Sequence, residues 1–164
     1  MLTALALCTT LLADTVRFPA VTSDNLEGQT FTLPHDFGGE RNVLFIAFQR
    51  QQQAEVDTWV PFVKPLVART PGTEYYEIPT IYRMIAPMRW MLNRGMRSGI
   101  DDRGARERTI TLYLDKGPFK RALGISDEKR IQVLVVDREG QVLWRTTGPF
   151  TEEKGASLEA ALKG

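Results

Sequence analysis

The sequence predicts an α/β domain built on a mixed sheet, and three observations carry that reading. Two short, continuously apolar runs, residues 42–48 (NVLFIAF) and 131–137 (IQVLVVD), read as central strands covered on both faces. Between them, helical periodicity alternates with strand-like segments, the pattern of an α/β chain. After the second run, Arg138, Glu139 and Gly140 turn the chain into residues 141–146, so the domain closes with a hairpin and a last helix.

Taken in order, residues 18–41 supply short extended pieces, including QTFTL at 29–33, and a turn over 34–39 before the first core strand. Residues 51–68 place Val56, Val60, Val63 and Val67 at helical spacing, interrupted by Pro61 and Pro65, which predicts a bent or broken helix. YYEIPTIY at 75–82 predicts a second strand, residues 87–98 a second helix, and TITLYLD at 109–115 a third strand with β-branched residues in alternation. Residues 118–123 predict a short helix ended by Gly124. Thr151 is placed to cap the final helix, whose first turn carries Glu152 and Glu153 and whose inward side carries Leu158, Ala161 and Leu162.

The chain has 164 residues, 21 Lys plus Arg, 20 Asp plus Glu, one His and one Cys, with 43% hydrophobic residues. That length suits one domain over residues 14–164, large enough for a core without disulfide or metal staples. A net charge of +1 gives no global reason to bind nucleic acid, and no run of about 20 apolar residues is present to cross a bilayer.

Residues 2–13 (LTALALCTTLLA) are uncharged and apolar and end in a small residue, as the core of a secretory signal peptide does, although no Lys or Arg precedes them. The expectation is a leader over residues 1–13 and an exported, periplasmic or membrane-associated protein. The other reading is an apolar segment packed on the domain. Leu7 before Cys8 is too bulky for a lipoprotein box. If the leader is removed, the remaining chain has no thiol.

Three segments resemble the thioredoxin-like superfamily: residues 28–48, the proline-interrupted helix that follows, and residues 119–148 with their Asp, turn glycine and Gly-ended strand. The resemblance implies a thioredoxin-like mixed sheet flanked by helices, with an N-terminal hairpin extension. It also implies a Cys-x-x-Cys or single reactive Cys just after the first core strand, and a cis-proline just before the strand at 131–137. Here those places hold Gln49, Arg50, Gln51, Gln52 and Gln53, and Lys129, Arg130 and Ile131. Neither an amide nor a guanidinium forms a mixed disulfide, so thiol exchange and peroxidase chemistry are excluded at this position. No catalytic residue is assigned, and a non-enzymatic role is expected.

A narrower likeness, over IQVLVVDREGQVLWRTTGPFTEEKG at 131–155 and the Arg-rich middle, is to the F-type ATP synthase assembly factors of mitochondria and their bacterial relatives. It implies a chaperone-like role on a membrane-complex subunit.

Two surfaces are candidates for function. The first is the degenerate loop Gln49, Arg50, Gln51 and Gln52 with Ile131, where a helix start offers unpaired amides to an anion; the plainer reading is a solvated helix start. The second is the helix at 87–98. At about 100° per residue, Met84, Met88, Met91, Leu92 and Gly95 share one face, expected to be core, and Arg89, Trp90, Asn93, Arg94 and Arg97 share the other. Arg89, Trp90, Arg94 and Arg97 are therefore the expected partner-binding residues.

Residues 83–108 hold seven arginines against three carboxylates, a net of +4, leaving the rest of the chain at −3. This asymmetry fits an acidic protein partner or an anionic membrane surface, or else a solvated face with local ion pairs. Nucleic acid is not expected, for lack of stacking aromatics or a binding motif. Pro79 is expected to be trans near a strand start, and His35 beside Asp36 a surface residue in a turn. With one His and only adjacent acidic pairs, the sequence implies no metal and no cofactor. The competing class is a non-thiol enzyme or small-ligand site in the old cleft, which needs a pocket lined by Arg50, Gln51 and residues near Ile131.

Overall fold

The apolar run at 42–48 forms a strand, Arg41–Ala47, in which Val43, Leu44, Phe45 and Ile46 are wholly buried. Burial on both faces requires a place inside a sheet. In the computed structural model, which describes residues 15–164, the strands in chain order are β1 (Val21–Asp24), β2 (Thr30–Leu33), β3 (Arg41–Ala47), β4 (Thr73–Tyr82), β5 (Leu112–Leu114), β6 (Gln132–Asp137) and β7 (Val142–Thr147). Five of them form one sheet in the order β5-β4-β3-β6-β7, with β3 at its centre. β3, β4 and β5 are parallel, and β6 and β7 run antiparallel to their neighbours. β1 and β2 make a separate antiparallel hairpin. The helices are α1 (Gln53–Arg69), α2 (Ala86–Gly99), α3 (Arg103–Arg108), α4 (Lys116–Leu123) and α5 (Glu152–Lys163), with a single 3-10 turn, Arg50–Gln52, leading into α1.

Alternation along β3 and β6 sends side chains to two cores. Val43, Phe45, Val133 and Val135 meet α1 and α5 through Val56, Trp59, Val63, Leu66, Leu158 and Leu162. Trp59 is wholly buried, and its indole N–H donates to the Gly148 carbonyl at 3.0 Å. Leu44, Ile46, Leu134 and Val136 meet the β1–β2 hairpin and α4 through Phe31, Leu33, Phe119 and Leu123, with Phe18 and Phe37. Local signals act as expected at the ends of helices. Gly124 stops α4 in the left-handed region at φ 64°, and the Thr151 hydroxyl accepts from the Lys154 N–H at 3.2 Å.

Several expectations are corrected. Of the bent or broken helix expected at 51–68, the break is absent: α1 is a single element of 17 residues that runs through both prolines. Pro61 and Pro65 stand four apart on its exposed side, so the missing donors do not interrupt the buried stripe. That stripe is Val56, Trp59, Val63 and Leu66; Val60 and Val67 are only partly buried. The third strand keeps only Leu112–Leu114, with Thr109 and Ile110 held by isolated bridges, and the preceding RGARER folds as α3. Pro79 lies well inside β4, beside Ala47 of β3, and its peptide bond is trans; among the described residues the cis bond is Leu33–Pro34. The leader expected over residues 1–13, with Cys8, lies outside the described residues.

The turn from β6 to β7 depends on one glycine. Gly140 has φ 80°, and a Cβ there would stand 2.7 Å from Pro34 Cγ and 3.1 Å from the Phe18 carbonyl oxygen. Gly140→Ala should destabilise the fold by about 1–3 kcal/mol through left-handed strain and overpacking. The check is the urea midpoint, expected to fall at constant slope; an unchanged midpoint would show that the Phe18–Pro34 layer is not seated on this turn.

Candidate functional site

The carboxyl end of β3 leads into Phe48, Gln49 and the 3-10 turn Arg50–Gln52, and the loop before β6 comes back beside it. The structure therefore does bring the Gln49–Gln52 loop and Ile131 to one end of the sheet. It also fills the space between them with hydrogen bonds. Gln52 is buried: its side-chain oxygen accepts from the Phe48 N–H at 2.8 Å and the Gln49 N–H at 3.3 Å, and its amide donates to the Glu128 carbonyl at 2.6 Å. The Gln49 amide donates to the same carbonyl at 3.2 Å. On the other side, Glu55 of α1 accepts from the Ile131 N–H at 3.1 Å and pairs with Arg130 at 2.6 Å.

Lys116 completes this closure. It is only 5% exposed, and its ammonium donates to the Phe48 carbonyl and to Glu128, both at 3.1 Å, while lying 4.5 Å from the centre of the Tyr82 ring. Lys120 holds the second Glu128 oxygen at 2.9 Å. Such a network satisfies a buried cation. It leaves Arg50 and Gln51 exposed at the rim, and Glu55 in the first turn of α1 puts a negative charge where an incoming anion would have to settle. A recess of about 420 Å³ opens at the other end of α1, lined by Lys64, Arg69, Tyr75 and Arg108 among others. The half-buried carboxyl of Glu77 on β4 is pushed up by burial against a hydrogen bond from Gln53.

The second candidate is turned over relative to its expectation. α2 contributes no buried residue. Its polar side faces the body: the Tyr113 hydroxyl donates to Asn93 at 2.6 Å, Arg97 donates to the Leu26 carbonyl and to Glu27, both at 3.3 Å, and Arg89 lies over the Tyr113 ring. Burial, countered by Arg89, raises the Tyr113 hydroxyl to about 12, so it remains a donor. The methionine face expected in the core is outward, with Met88, Met91 and Leu92 exposed and Met91 at 66%. Trp90, 63% exposed, stands at the edge of this apolar face with Arg94 over its ring at 5.3 Å. Of the four expected contact residues, Trp90 and Arg94 are thus free at the surface and Arg89 and Arg97 are used to attach the helix.

This architecture is shared with solved thioredoxin-like structures. A thiol:disulfide interchange protein from Bacteroides matches with a TM-score of 0.60 at 16% identity, over 93% of this chain and 92% of that one. A member of the Sco family of cytochrome c oxidase assembly proteins matches at 0.59 and 12%, over 92% and 95%. The exposed lipoprotein thioredoxin of Streptococcus pneumoniae matches at 0.54 and 14%, over 89% and 100%. The fold is thioredoxin-like. No protein-family model and no curated protein matches the sequence.

Sequence reasoning missed Lys116, Glu128, Glu55 and Gln52 as partners, because the contacts join segments up to 79 residues apart. Their energetics are testable through Glu128. Burial opposes its ionisation, but the hydrogen bonds and charges of Lys120 and Lys116 outweigh that and hold the carboxyl below its ordinary range. A depressed acid contributes stability that is complete above the ordinary range and is lost as pH falls through the depressed value. Glu128→Gln should lower the thermal midpoint at neutral pH, and the gap from the parent should close as pH drops below about 4. A gap independent of pH would mean that Glu128 acts through shape alone.

Proposed function

We propose that this chain is a redox-inactive, thioredoxin-like binding protein that acts as an assembly factor or chaperone for a membrane protein complex such as ATP synthase. The observation that carries the reading is α2: a helix attached by its polar side, with Met88, Met91 and Leu92 outward and Trp90 and Arg94 beside them. Aromatic, Met and Arg side chains are the ones enriched where proteins meet partners, and nothing in the two cores requires this helix for burial. The place where relatives hold a reactive thiol carries amides tied to backbone. An enzyme using the cleft would need space that Gln52, Lys116 and Glu55 occupy with their own partners.

The choice of an assembly role is supported by the likeness of residues 131–155 to ATP synthase assembly factors. A solved neighbour belonging to a family of cytochrome c oxidase assembly proteins adds to that support. Export fits the apolar residues 2–13. No helix among the described residues is long and apolar enough to cross a membrane.

The test is crosslinking and pull-down from the native membrane fraction. The chain should capture a membrane-complex subunit, and the double variant Trp90→Ala, Arg94→Ala should lose it while keeping the parent's thermal midpoint. Undiminished capture by the double variant would remove α2 from the interface. Insulin reduction should stay at background, and turnover above it would overturn the exclusion of thiol chemistry.

A further inference from the structure

We propose that the outward face of α2 is covered by an anionic lipid surface. The helix lies along the bilayer plane, with Met88, Met91 and Leu92 among the headgroups and Arg83 and Arg94 reaching lipid phosphates, while Arg89 stays over the Tyr113 ring and adds its charge to the same side. This rests on the reading of α2 as the docking face and names what covers it.

Charge is the first support. From residue 78 to residue 100 the chain has no Asp or Glu, but it has Arg83, Arg89, Arg94 and Arg97. Arg97 is engaged by Glu27, whereas Arg83, Arg89 and Arg94 have no carboxylate within ion-pair distance among the described residues. Glu27 and Glu74, from outside residues 83–108, pair with Arg97, Arg106 and Arg108, so the cations of this stretch without a carboxylate partner among the described residues are Arg83, Arg89 and Arg94, in and just before α2, and an anionic surface orients the molecule with that helix toward it.

Shape is the second. α2 offers a convex stripe, which fits a partner only where that partner supplies a groove. A soft, flat surface accepts a convex apolar stripe along its length. Long arginine stems let guanidinium groups stay at phosphate level while the methionines sink below them, and a tryptophan at the apolar boundary occupies the depth that indole prefers. Tyr82 and Ile85, just before α2, are exposed as well. The orientation is built in, because Asn93 and Arg97 are bonded to the body and keep the apolar arc outward.

The experiment uses the full chain with vesicles of phosphatidylcholine alone or mixed with phosphatidylglycerol, some carrying brominated acyl chains. Co-sedimentation should require phosphatidylglycerol and weaken with salt. Brominated lipid should quench a fluorescence component that the Trp90→Phe variant lacks, which separates α2 from any binding by residues 2–13. Arg94→Ala should weaken association about fivefold and Arg83→Ala with Arg94→Ala about twenty-five-fold, while Arg138→Ala at the β6–β7 turn leaves it unchanged.

All of these side chains are exposed, so circular dichroism and the thermal midpoint should not move. Unquenched Trp90, or an Arg138→Ala effect equal to that of Arg94→Ala, would overturn the proposal. Failure on vesicles with subunit capture intact would overturn the lipid assignment and leave the protein-docking reading standing. Failure of both would remove both.

Discussion

Arg97 decides which side of α2 the molecule shows. Its guanidinium reaches back 70 residues to Glu27 and to the neighbouring Leu26 carbonyl in the turn of the β1–β2 hairpin. That turn is firm: the Asn25 side-chain oxygen accepts from the Glu27 and Gln29 N–H groups, and its amide donates to the Glu107 carbonyl. Glu27 also receives Arg106 at 2.5 Å, and that hydrogen bond foremost holds its carboxyl below the ordinary range. A lone exposed ion pair contributes about 0–1 kcal/mol. Here the pairs converge on one turn already fixed by backbone hydrogen bonds, so their product is orientation more than stability. The N-terminal hairpin, an extension to the fold, thereby positions the helices between β4 and β5.

The end of the sheet beside the start of α1 is governed by a different rule. Thiol exchange needs a thiolate stabilised by the positive end of a helix, and access for a second sulfur. This chain puts Glu55 in the first turn of α1, a charge that would repel a thiolate, and uses it to hold Arg130 and the Ile131 N–H. Lys116 and Gln52 then tie Phe48 to Glu128. Each buried donor has an acceptor, so opening this end would strand several polar groups at once, about 1–3 kcal/mol apiece. A closed, satisfied network of this kind resists the water and substrate that a catalytic cleft must admit.

The legible and illegible parts of the molecule divide by range. β3 and β6 were readable because a run buried on both faces needs no partner information, and Gly124 and Thr151 because caps act over a few residues. α3 was not readable, since RGARER has no apolar stripe and is held by the Asp102 cap and by ion pairs such as that of Arg106 with Glu27. The two arcs of α2 were readable, but periodicity cannot say which arc meets the body. The usual rule, apolar side inward, failed because Tyr113 and Glu27 offer the helix polar anchors. Gln52 sits in what reads as a solvated helix start and Lys116 carries no reading, and only contacts from loops far along the chain show both buried.

Separation of folding from recognition follows from these placements. Neither core layer includes a residue of α2, whose apolar residues are at most partly covered and so carry only a small share of burial on folding. Substituting Met88, Met91 or Trp90 removes side chains that are about half or more exposed, whereas substituting Trp59 or Leu134 opens a cavity in a core. The helix is free to be tuned for what it touches, limited only by the positions that attach it, Asn93 and Arg97. The end of the sheet at the start of α1 is closed by amides and a lysine, and among the described residues the exposed apolar surface is concentrated between Tyr82 and Leu92.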